Sequence, residues 1–323
     1  MTGLTRGGIR FTMVMLLAAV SAAGFNGGCR RYSQEEKDMT PSRQTDAKYA
    51  VYAKMDSSEA LRFIFAPRRT PRTPAPEGSR NIDFEVEPGI VLGSRFWIAD
   101  ESAPIILFFH GNGEIVADYD EIGPMYSRRQ VNFWVVEFRG YGWSGGRPTV
   151  TNMMSDAAFV YHAVRQWCDE QGFSGPLFVM GRSLGSASAI EIAASYNDEI
   201  KGLIIESGFA ETVPLARTLG FDVDGAGLDE DDGFGNLRKI ERVTKPTFIL
   251  HGQRDELIDL AHARKLHAAC GARSKELQII PGAGHNTMIA VGGMLYFETI
   301  GNFVKKVSGI DTWRDRRKRY KRR

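Results

Sequence analysis

From residue 104 onward, short apolar runs alternate with stretches of helical periodicity. Pro104–Phe109, Val131–Phe138, Leu177–Met180, Gly202–Ile205, Thr247–Leu250 and Glu276–Ile280 read as strands. Between them, residues 115–128, 152–171, 184–196, 259–270 and 286–306 read as helices, the second with an apolar stripe of Val160, Ala163, Val164 and Trp167. Strands that are apolar throughout, rather than at every second position, are covered on both faces. Alternation with helices then implies a parallel sheet between two helical layers.

Upstream the pattern is looser. Residues 82–98 predict two strands around a Glu-Pro-Gly turn, and residues 66–79, with four prolines, predict a loop or an extended crossing. Residues 30–81 read as a tether and N-terminal extension, with room for a short helix before residue 60. One stretch interrupts the alternation. Residues 210–245 are far longer than a strand-to-strand connection needs and hold Asp222, Asp224, Asp229, Glu230, Asp231 and Asp232. The spacing fits a calcium loop poorly, because Ala226 stands where an oxygen ligand is required. An acidic surface lid is the simpler reading.

The first 29 residues read as a targeting segment. Arg6 and Arg10 precede an uncharged apolar run at 11–25, too short for a comfortable membrane span. Ser21-Ala22-Ala23 offers ordinary signal cleavage. Cys29, after Asn26-Gly27-Gly28, resembles a bacterial lipoprotein cleavage site, although Asn26 stands where that pattern usually has an aliphatic residue. Either route exports the chain. An uncleaved anchor is the third option.

Charge adds one feature. The last eleven residues, WRDRRKRYKRR, are net +7 in a chain of net +2, so the rest carries −5. A mildly acidic body with a basic end lacks the broad basic face of a nucleic-acid binder. The tail reads as a solvated end. Its alternative is adhesion to an anionic membrane, where each basic residue gains about 1 kcal/mol. Of the three cysteines, Cys168 and Cys270 remain if Cys29 is lipidated. A disulfide between them would suit an exported protein, and Cys168 beside its apolar stripe also reads as a small buried hydrophobe. No Cys/His spacing fits zinc, and no cofactor motif is present.

Two stretches, GWSGG (142–146) and GRSLG (181–185), fit G-x-S-x-G. A nucleophile on such a turn needs a buried strand before it and a helix at once after it. Ser183 has both, with LFVM before it and LGSASAIEIAA after it. Ser144 is followed by Gly-Gly-Arg-Pro, which starts a loop. A serine hydroxyl also needs a base and a group to orient that base. His285, between a strand end and a helix, is placed to be the base. Asp255, in the loop after the strand ending at Leu250, is placed to orient it, with Glu256 as the alternative. His262 and His267 fall on a helix and read as solvated.

The order Ser183, Asp255, His285 resembles that of the α/β-hydrolases, and the resemblance covers about 82–307. HGNGE (110–114) resembles the oxyanion loop and FRGYGWSGG (138–146) the glycine-rich loop after the next strand. GRSLGS, HGQRDELI and GAGHN resemble the elbow, acid and base loops. The resemblance implies an α/β-hydrolase fold and a serine nucleophile. It implies an oxyanion site made by the backbone N–H groups of Asn112 and Leu184. The branch most similar holds small serine peptidase-like hydrolases and protein depalmitoylases. The expectation is hydrolysis of an ester or thioester with a partly apolar acyl group. Peptide hydrolysis, or a binding protein that merely keeps the fold, are the alternatives.

Overall fold

The structure, a computed structural model, describes residues 46–309. Cys29, the targeting segment and the basic tail from residue 310 lie outside the described residues. An eight-stranded sheet runs through the molecule in the order β1-β4-β6-β5-β7-β8-β9-β10. Its strands are β1 (Ser79–Asn81), β4 (Ser94–Trp97), β5 (Ile105–Phe109), β6 (Asn132–Val136), β7 (Leu177–Arg182), β8 (Gly202–Glu206), β9 (Thr247–Gly252) and β10 (Lys275–Ile280). From β6 to β10 all neighbours are parallel, while β4 and β1 add an antiparallel edge. A separate hairpin pairs β2 (Phe84–Glu87) with β3 (Ile90–Leu92) across a turn where Gly89 has φ +75°. The stretch 82–98 therefore holds three strands rather than two. The chain leaves the hairpin at Gly93 and enters the large sheet with β4.

The continuous apolar strands are explained by what each side chain meets. Ile105, Leu107 and Phe109 of β5 enter one core, and Ile106 and Phe108 enter the other. The first core is closed by α4 (Val150–Gln171), α5 (Gly185–Ser195), α7 (Asn236–Ile240) and α8 (Leu260–Ala269). The second is closed by α3 (Gly123–Ser127) and α9 (Met288–Ser308), with Tyr126 and Phe133 stacked 4.2 Å apart. Truncating one such side chain, for example Leu107→Ala, costs about 2–5 kcal/mol.

Two helical expectations change. Residues 115–128 form a single 3-10 turn at Val116–Tyr119 and then the short α3, because Pro124 can open a helix but not continue one. The last helix bends at Gly293 (φ +51°, ψ −131°). No described helix is long and apolar enough to cross a membrane.

The N-terminal segment packs more closely than a tether would. It comprises α1 (Asp46–Tyr49), a 3-10 turn at Ala50–Asp56 and α2 (Ser58–Ile64). Tyr49, Tyr52, Met55 and Phe65 are buried in the first core, and the Asp56 carboxylate accepts from Val150 N at 2.7 Å, capping α4. The insertion folds into α6 (Thr212–Thr218), a 3-10 turn at Glu230–Asp232, and α7. Its acids cap turns and pair with basic side chains. Asp229 caps that turn, Asp222 caps Gly225, and Asp232 pairs with Lys54 of the N-terminal arm at 2.9 Å. Cys168 and Cys270 are both buried and unbonded, so the disulfide option falls and each is a small packed hydrophobe.

Candidate active site

The elbow forms because three backbones come within van der Waals reach. A Cβ on Gly181 would lie 2.2 Å from the carbonyl oxygen of Gly185, and one on Gly185 would lie 2.1 Å from that of Phe109. Glycine at both positions lets β7 turn straight into α5. Ser183, between them, takes the left-handed φ of +50° that a side chain rarely adopts. The strain is held by Ser183 N donating to Glu206 O at 2.9 Å and by Ser186 Oγ donating to Ser183 O at 2.6 Å. Ser144 is held differently. Its hydroxyl accepts from Gly93 N at 2.9 Å, and Gly145 N donates to Val91 O, so the second G-x-S-x-G pins a loop to β3.

Three buried side chains meet at the carboxyl ends of the strands. His285 Nε2 lies 3.0 Å from Ser183 Oγ, and His285 Nδ1 lies 2.8 Å and 3.0 Å from the two oxygens of Asp255. This network assigns the proton to Nδ1, leaving the Nε2 lone pair to accept from the hydroxyl. Burial alone would raise the Asp255 carboxyl. The His285 hydrogen bond and the N–H of Ile258 outweigh it and hold Asp255 below its ordinary range. Glu256 is excluded as the orienting acid, since its carboxylate accepts from the backbone N of His285 at 3.1 Å and not from the ring. His251 is buried near Asp255 and donates through Nε2 to Ile258 O at 2.7 Å. Burial depresses its pKa, which keeps it neutral at pH 7. His262 is half-buried rather than solvated, and accepts from Ala210 N at 3.2 Å.

Asn112 and Leu184 border the same cavity as Ser183, and no described acceptor takes the backbone N–H of either. That cavity, of about 190 Å³, is mainly apolar: Phe63 and Ile64 come from the N-terminal arm, Leu215 from α6, Leu219 from just after it, and Leu257 from the loop that carries Asp255.

Sequence reasoning missed Arg182. Its guanidinium donates to His285 O at 2.8 Å and Asn286 Oδ1 at 3.1 Å, lies 3.4 Å from Glu206, and pairs with Glu114. Glu114 in turn accepts from Gly111 N at 2.6 Å and Tyr119 Oη at 2.7 Å. One side chain thus ties together the Ser183 turn, the HGNGE loop and the His285 loop. Burial would raise both flanking carboxyls. Arg182 overrides this at Glu114, which is held below its ordinary value, whereas burial prevails at Glu206. The signal was an arginine at the end of a fully apolar strand, a place where an unpaired charge is too costly to stand.

The sequence profile of the serine aminopeptidase S33 family matches residues 100–219 and 236–290, more than half of the chain. The chain belongs to that family. It has the α/β-hydrolase fold, and the gap in the family match falls inside the 210–245 insertion. The alpha/beta hydrolase domain-containing protein 17B of Homo sapiens is 30% identical over 210 residues, covering 62% of this chain and 66% of that protein. Protein bem46 of Schizosaccharomyces pombe is 27% identical over 272 residues, covering 76% and 88%. The chain spans just under two thirds of the length of its human relative. Among solved structures, the Pyrococcus furiosus esterase Pf2001 superposes with a TM-score of 0.61 at 19% identity, over 75% of this chain and 98% of that one. A soluble variant of the Saccharomyces cerevisiae monoglyceride lipase gives 0.57 at 20% identity, over 74% and 98%. These two share the fold.

Proposed function

We propose that this family member hydrolyses an ester or thioester of a partly apolar acyl group through an acyl-enzyme, with Ser183 as nucleophile, His285 as base and Asp255 as the orienting acid. Ser183 Oγ attacks the acyl carbonyl while its proton passes to His285 Nε2. The N–H groups of Asn112 and Leu184 stabilise the oxyanion, each worth about 3–4 kcal/mol. Collapse breaks the bond to the alcohol or thiol, which leaves with the proton from His285. Water then attacks the acyl-enzyme as His285 Nε2 takes its proton, the acyl–Oγ bond breaks, the proton passes from His285 to Ser183 Oγ, and the carboxylic acid leaves.

The observation that carries the acyl reading is the lining of the cavity beside Ser183. An aminopeptidase must receive a charged α-ammonium, and a buried cation needs a carboxylate partner. No Asp or Glu side chain is among the described residues that line this cavity, and apolar side chains dominate it. An acyl chain fits such walls. The resting hydrogen-bond network from Asp255 to Ser183 speaks against a purely binding role.

Export through residues 1–29, by signal cleavage or by lipidation of Cys29, belongs to the same proposal. So does contact of the basic tail with a membrane surface.

The test is labelling of residues 30–323 by a fluorophosphonate, with Ser183→Ala and Ser144→Ala alongside. Turnover of acyl esters, acyl thioesters and aminoacyl anilides is then compared. Label lost in Ser183→Ala alone, with esters or thioesters turned over fastest, is the expected result. Aminoacyl anilides turned over faster than any ester would reverse the substrate assignment.

A further inference from the structure

The N-terminal arm reaches the active site. Its foot is fixed by Tyr49, Tyr52 and Met55 in the first core and by the Asp56 cap on α4. Only its last turn faces the cavity, where Phe63 and Ile64 line the wall together with Leu215 of α6 and Leu219 just after it. Phe63 meets Phe221 of the insertion, ring centroids 4.8 Å apart. These rings belong to a small cluster with Ala60 and Val223 that is separate from both main cores. The cavity wall is therefore made in two pieces from distant parts of the sequence.

The arm is held at that place by Asn112 and by Tyr141, whose Oη also accepts from Ala66 N at 3.0 Å. Asn112 Oδ1 accepts from Ala66 N at 2.8 Å and from Tyr141 Oη at 2.6 Å, and Asn112 Nδ2 donates to Ile64 O at 2.9 Å. The residue whose backbone N–H is open beside Ser183 thus uses its side chain to grip the arm on both sides of Phe65. Residues 46–66 lie outside the stretch matched by the family profile.

We infer that the acyl-chain length this hydrolase accepts is set by its N-terminal arm, with Phe63 as the end-wall side chain and the Asn112 side chain as the clasp that holds it. The inference rests on the acyl-hydrolase reading above. Phe63 is half-buried and packs in the small outer cluster, so its replacement alters the cavity without opening a main core. Removing its ring lengthens the cavity, and a larger ring shortens it. A change of one methylene against an apolar wall discriminates substrates by about 10-fold or more, and a phenyl ring spans several.

The experiment measures kcat/KM on p-nitrophenyl esters from acetate to palmitate for the parent, Phe63→Ala and Phe63→Trp. Each preparation is normalised to the fraction of Ser183 that a fluorophosphonate labels, so misfolded protein drops out. Phe63→Ala should raise the dodecanoate-to-butanoate ratio by at least about tenfold, and Phe63→Trp should lower it. Phe63→Leu, nearer in volume, should fall between the parent and Phe63→Ala and covers the case in which Phe63→Ala yields no labelled protein. An unchanged chain-length profile in variants that label and turn over would overturn this inference alone. A parent that turns over no ester of any length would overturn the acyl reading, and this inference with it.

Discussion

Glu191 offers a quantitative test of how the arm is attached. Its carboxylate is nearly inaccessible on α5, and it accepts from Lys48 at 2.7 Å and Lys239 at 2.9 Å. Burial alone would raise its pKa. Lys239 first and Lys48 second reverse that and hold it at about 2, against an ordinary 4.5. Lys239 itself is held below its ordinary range, because burial takes more from the ammonium than Glu191 returns. The ion pair therefore does not add its full Coulomb energy at neutral pH. The acid limb reads the Glu191 carboxylate. A group whose folded pKa is depressed contributes stability above its unfolded pKa and loses it as pH falls through the folded value. Here the loss runs from about pH 4.5 down to about pH 2 and amounts to about 3 kcal/mol. Urea denaturation of the parent and Glu191→Gln, followed from pH 7 to pH 2.5, reads this directly. The variant should be less stable at pH 7, and the two should converge by about 2–3 kcal/mol as the pH is lowered. A stability gap that stays constant with pH would refute the assignment of this linkage to Glu191.

Three further outcomes follow from the site. Asp255→Asn keeps the geometry but disturbs the tautomer of His285, and kcat should fall by about 10⁴ with little change in KM, read by steady-state kinetics. Gly185→Ala places a methyl 2.1 Å from the carbonyl oxygen of Phe109, a backbone atom that cannot swing aside. Thermal denaturation should show a loss of about 1–3 kcal/mol or more, with reduced fluorophosphonate labelling. Arg182→Met cuts the link from the Ser183 turn to the His285 and HGNGE loops and leaves Glu114 and Glu206 without their cation. It should lower kcat more than it raises KM, and Arg182→Lys should restore only part, because one ammonium cannot reproduce the guanidinium fork. A KM effect alone would show that Arg182 does not position the reacting groups.

Much of the candidate site is legible in the sequence. Ser183 could be chosen over Ser144 because the elbow is a local steric event, decided by a buried strand, small residues and an immediate helix within one short stretch. His285 and Asp255 were legible as polar residues in loops at strand ends, with the order of the chain doing the rest. The choice of Asp255 over Glu256 was not. Adjacent residues in a loop point in different directions, and only the fold shows that one carboxylate meets the imidazole while the other meets the backbone N–H of His285.

By itself the sequence determined the parallel sheet and the family, and it pointed to Ser183, His285 and Asp255 as candidates, because each depends on patterns that repeat every two to four residues or on turns closed within five. The tertiary structure alone decided what crosses long separations. Arg182 meets a backbone carbonyl 103 residues away, and Asn112 grips an arm 46 residues upstream. Cys168 and Cys270 proved to be packed apart rather than paired. No local pattern encodes these contacts, since a hydrogen bond or an apolar wall takes its partner from whatever the folded chain brings within about 3–4 Å.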